Sequence, residues 1–103
     1  MAWYAYLAYF LAGAFLVNGV PHFVHGIAGK KFPIPFGSTP RAGESSPIMN
    51  VIWGLVNFVI GYVLIFGVGH FAFGLTRAAV MTGLGALVTS LALAFYFQRV
   101  RNR

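Results

Sequence analysis

The chain has 103 residues, of which 59% are hydrophobic and only 8% charged. Ordinary soluble domains carry about 25% charged residues, so this chain lacks the polar surface that keeps a protein dispersed in water. The net charge of +6 does not point to nucleic acid, because the basic residues sit at the edges of apolar segments and form no phosphate-tracking face; the lack of cysteine rules out disulfides and thiolate chemistry.

The first segment, about residues 3–25, holds no charge. At roughly 1.5 Å per residue it is long enough to cross a hydrocarbon core of about 30 Å. It has no positive leader and outlasts the roughly 7–15 residue core of a signal peptide, so a retained transmembrane helix is predicted. Trp3, Tyr4, Tyr6 and Tyr9 crowd its start, as interfacial aromatics do. Pro21 lacks an N–H donor, which should leave the Val17 carbonyl unpaired and kink the helix.

Residues 26–46 form the long loop, predicted to be cytoplasmic. Glycines and prolines along it exclude a continuous helix. Phe32, Ile34 and Phe36 follow Lys30 and Lys31 and alternate with prolines, a composition suited to the headgroup level. Ser46 followed by Pro47 reads as an N-cap and first helical residue.

The second span is predicted at about 47–68 and the third at about 77–98, with Thr76 as its cap. Along the third, Thr82, Ala86, Ser90 and Ala94 recur every four residues, with Ala79 and Gly83 beside them. That small-xxx-small spacing lets membrane helices approach closely. The expected fold is therefore all-α: one domain, a bundle of three transmembrane helices. Lys30, Lys31 and Arg41 share a side with Arg99, Arg101 and Arg103, which leaves Arg77 alone on the other. The positive-inside rule then places the N-terminus outside and the C-terminus inside.

Two polar runs interrupt these apolar segments. Asn18, His22 and His25 share one face of the first helix; Asn50, Gly54 and Asn57 share a face of the second, with Gly61 a turn further on. In a hairpin the two runs should meet at a common depth: His25 near Asn50, His22 near Trp53 and Gly54, Asn18 near Asn57. Thr89 and Ser90 should lie level with Asn18, and Tyr96 nearer His25. The candidate site is thus Asn18, His22, His25, Asn50, Trp53 and Asn57, with Gly54 and Gly61 as its floor. The plainer reading is that these side chains are interhelical glue, since such bonds average about 0.6 kcal/mol.

The chemistry open to this set is narrow. Imidazole is the only group in the spans that titrates near neutral pH, and Glu44, the sole acid, lies in the loop. No paired carboxylates or acid-oriented nucleophile exist, so no enzyme is expected. Two histidines on one helix fall short of the three or four ligands of a zinc site, so no metal is expected. A single histidine can serve a haem or pigment as axial ligand, which leaves the cofactor open. Two functions follow as expectations: small-solute or ion transport by an oligomer, or a structural or accessory subunit of a larger membrane complex that binds a haem, pigment or lipid. The expected surroundings are the lipid bilayer and either a homo-oligomer or a larger complex, with no nucleic acid.

The stretch Asn18-Gly19-x-Pro21-His22-Phe23-x-x-Gly26, followed by Ser46-Pro47-x-x-Asn50-x-x-Trp53-Gly54-x-x-Asn57, resembles a pattern of small bacterial inner-membrane proteins. The likeness covers about the middle 40 residues of the chain. It implies an inner-membrane location and brings no activity, substrate or cofactor.

Overall fold

The computed structural model describes residues 1–33 and 44–101. The order of elements is α1 (Trp3–Ile27), β1 (Phe32–Pro33), β2 (Glu44–Ser45), α2 (Pro47–Gly67) and α3 (Arg77–Arg101). The expected headgroup-level residues Ile34 and Phe36, and the charges of Arg41 and Arg103, lie outside the described residues.

Each helix boundary has a local cause. α1 runs through Pro21 without interruption and ends at Ile27, two residues past the expected end. Gly29 closes it at φ 74°, with Gly29 N–H bonded to the Gly26 carbonyl and Lys30 N–H reaching back to that of His25. These paired bonds satisfy the last free carbonyls, and a left-handed residue there favours glycine. The Ser46 hydroxyl accepts from Met49 N–H at 3.2 Å, with Pro47 at the first helical position, so α2 starts where expected. Thr76 likewise caps α3, accepting from Ala79 N–H at 3.1 Å and donating to the Ala72 carbonyl. α3 continues beyond the expected Gln98 to Arg101.

The loop differs from expectation. Its two ends pair as a short antiparallel ladder, Phe32 opposite Ser45 and Pro33 opposite Glu44. Two residues per strand leave few ladder bonds, and the Asn50 side chain supplies the anchoring described below.

α1 is the central helix. It packs on α2 and on α3, which make little contact with each other. α2 runs antiparallel to α1, with Gly26 against Pro47 and Val51, Gly19 against Gly54, and Leu16 against Gly61. α3 runs parallel to α1, with Phe10 against Gly85 and Gly13 against Thr82 and Ala86. A small core of Ala5, Tyr9 and Ala78 closes the far end. Tyr9, read from sequence as an interfacial aromatic, is fully buried there, while Trp3 and Tyr4 are exposed. A single sequence position cannot tell a belt tyrosine from a core one; packing decided it.

The third-helix stripe is used only in part. Thr82 and Ala86 meet α1, whereas Gly83 has open space beside it and Ser90 and Ala94 are exposed. Outside these contacts the surface is apolar, with Ile48, Val59, Leu75 and Leu91 all mostly exposed. All three helices are long and apolar enough to cross a membrane, which is compatible with a multi-pass membrane protein.

Candidate functional site

The polar residues of α1 and α2 meet because the backbones come unusually close. A Cβ on Gly19 would lie 2.9 Å from the Gly54 carbonyl oxygen, and one on Gly54 would lie 3.0 Å from that of Gly19. With no side chain between them, short polar groups one turn away on either side can span the gap. Gly54 and Gly61 are thus contact points between helices, not the floor of a cavity as the sequence suggested.

On one side of this contact, Asn18 Nδ2 donates to Asn57 Oδ1 at 3.0 Å, and Asn57 Nδ2 donates to the Trp53 carbonyl at 2.8 Å. A carbonyl only accepts, so the Trp53 bond sets the orientation of the Asn57 amide and hence of the pair. On the other side, Asn50 Nδ2 lies within 3.0 Å of three carbonyls, those of Phe32, Ser45 and Ser46. Its oxygen therefore faces His22, and His22 Nδ1–H donates to Asn50 Oδ1 at 2.9 Å. Asn50 and Asn57 are almost wholly buried and His22 is 4% exposed. Burial of an amide is tolerable only when its donors and acceptors are matched, as they are here.

The depth matching holds with one shift. Asn18 meets Asn57, and the His22 ring stands edge-on to Trp53 with centroids 6.5 Å apart. The sequence puts His25 nearest the level of Asn50, whereas the side chain bonded to Asn50 is that of His22. His25 turns back on its own helix, where Nδ1–H donates to the Pro21 carbonyl at 2.7 Å. The two positions are three residues apart on one face, so only the rotation of α1 against α2 could choose between them.

Sequence reasoning missed Phe32 and Ser45. Phe32 is buried at 3% exposure, with its ring 4.2 Å from that of His25, 5.2 Å from that of His22 and 4.9 Å from that of Phe97. It brings the loop, α1 and α3 together at one end. Its setting among lysines and prolines reads as surface, and no periodicity marks it. Tyr96, expected near His25, is 57% exposed; its neighbour Phe97 takes the inward place.

Comparison with protein-family models, curated proteins and solved structures finds no match to this chain. The chemistry must be read from the site itself. Among the described residues no three His, Asp or Glu side chains gather as metal ligands would. The His22 ring lies nearly perpendicular to those of Phe32 and Trp53, with centroids 5.2 and 6.5 Å away, so both aromatics crowd the space a tetrapyrrole would need. The arrangement acts as a polar lock: it joins α1 to α2 and ties both ends of the loop to them.

Proposed function

We propose that this chain is a multi-pass protein of the bacterial inner membrane, N-terminus outside, that serves as a structural or accessory subunit of a larger membrane assembly, either beside other chains or with copies of itself. The observation that carries this reading is the closure of the polar ladder: Asn50 and Asn57 engage donors and acceptors wholly inside the fold. A solute passing along these residues would have to break those bonds in a medium that offers no replacement. Meanwhile only 11% of the apolar 18-residue stretch of α3 is buried, against 33% for that of α1, which leaves α3 the helix most open to a neighbour. The orientation is supported by Lys30, Lys31 and Arg99 lying at one end of the bundle, the end that Phe32 and Phe97 join, and by Arg77 beside Tyr6 at the other. The reading assigns no catalysis.

Transport of a small solute or ion by an oligomer is the second reading, favoured by the unused hydrogen-bonding capacity of Asn18. The protein is extracted from its native membrane in a lipid-retaining polymer and its mass measured by native mass spectrometry, and solute flux in liposomes separates the two readings. The accessory reading expects particles heavier than one 11.2 kDa chain. A lone chain at every concentration would overturn both readings, whereas solute flux in liposomes that His22→Ala and Asn57→Ala abolish would overturn the accessory reading in favour of transport.

A further inference from the structure

Between α1 and α3 lies a recess of about 260 Å3, lined by Leu11, Ala14, Phe15, Asn18 and Thr89 and open at the surface of the bundle. Its polar atoms stand out against their surroundings. Asn18 gives one amide hydrogen to Asn57 and makes no other hydrogen bond among the described residues, so its second N–H and its oxygen are unmatched. Thr89 differs from its neighbours on the same helix. Thr82 returns its hydroxyl to the Ala78 carbonyl at 2.9 Å and Ser90 to that of Ala86 at 2.7 Å, the usual way a hydroxyl is satisfied in an apolar helix. Thr89 makes no hydrogen bond among the described residues, which leaves its O–H to serve the recess.

Depth selects what can fill it. Asn18 and Thr89 lie near the middle of helices that run Trp3–Ile27 and Arg77–Arg101. On the membrane reading above, on which this inference rests, that is the hydrocarbon centre, far from phospholipid headgroups and ester carbonyls. An unmatched donor there carries a solvation cost that an acceptor would relieve. The volume falls below the roughly 300–1,000 Å3 of drug-sized sites, enough for one ring-sized head and not for a lipid. Phe15 supplies an aromatic neighbour, and Ala14 leaves room beside it.

We propose that this recess binds the head of a neutral, membrane-dissolved carbonyl compound of the quinone type, its ring oxygen accepting from Asn18 Nδ2–H and Thr89 Oγ1–H and its tail left in lipid. The site is separate from the closed His22–Asn50 lock and meets the polar ladder only at Asn18.

The test uses the full chain in lipid nanodiscs, with 15N side-chain amide resonances of the asparagines as the readout. Decylubiquinone is the probe and decylbenzene its hydrocarbon control. The expected result is a saturable shift of the Asn18 amide with the quinone alone. Thr89→Val should weaken that binding about tenfold, the equivalent of one good hydrogen bond, while the Asn57 resonance stays in place; Thr89→Ser should restore it. An equal response to decylbenzene, no saturable shift, or unaltered binding by Thr89→Val would overturn the proposal. So would an Asn18 shift that follows the protein-to-lipid ratio without ligand, which would mean a second copy fills the recess. Failure of the chain to enter nanodiscs would strike the membrane reading and take the site with it; a well-incorporated chain without binding strikes the site alone.

Discussion

Asn50 and Asn18 are the same residue type in the same kind of apolar helix, yet they carry different loads. Asn50 joins four partners on three parts of the chain: His22 of α1, the Phe32 carbonyl of β1, and the Ser45 and Ser46 carbonyls before α2. Removing it takes the acceptor from the buried His22 imidazole and three bonds from the loop carbonyls, a cost of about 1–3 kcal/mol for a buried group left unsatisfied. Asn18 makes a single interhelical bond of a kind that averages about 0.6 kcal/mol. Unfolding in mixed micelles of graded denaturing detergent should therefore show Asn50→Leu losing about 2–3 kcal/mol, more than the loss for Asn18→Leu. Equal losses would mean that the lock is not centred on Asn50. Both asparagines stand out in the sequence by their polarity in an apolar run. Their unequal roles were not, because Phe32 and Ser45 reach Asn50 only through the fold of the loop.

At the scale of elements, α3 rests mainly on α1. It meets α1 where Gly85 lies against the Phe10 backbone and Gly13 against Thr82 and Ala86, and it gains little from α2. A side chain at Gly85 would run into the Phe10 carbonyl, so Gly85→Val should push α3 away and leave the α1–α2 pair intact. The natural chain has no cysteine, which makes disulfide mapping clean. Ala5→Cys with Ala78→Cys reports on α1–α3, and Leu16→Cys with Gly61→Cys reports on α1–α2. Gly85→Val should cut the first cross-link several-fold and spare the second; loss of both would show the bundle to be a single cooperative unit. The four-residue repeat from Thr82 to Ala94 pointed to close packing somewhere on α3. It could not show that only its first half meets α1.

For the whole molecule, the separation of charge makes orientation measurable. Leu75 sits in the α2–α3 turn at 99% exposure, and Lys31 lies at the opposite end of the bundle. With an outside N-terminus, a membrane-impermeant maleimide added to intact cells should label Leu75→Cys, and should reach Lys31→Cys only after permeabilisation. The reverse pattern would invert the topology and move the polar lock to the outer half of the bilayer.

The amino-acid order alone was enough for three apolar helices, their caps at Ser46 and Thr76, and the meeting of Asn18 with Asn57, because these rest on local periodicity, capping chemistry and length. Tertiary structure decided what periodicity leaves degenerate: that His22 rather than His25 faces Asn50, that α1 rather than α2 is central, and that Phe32 and Tyr9 turn inward. Those choices depend on helix rotation and on backbone contact at Gly19–Gly54 and Phe10–Gly85, which are properties of two surfaces fitted together and are written in neither one separately.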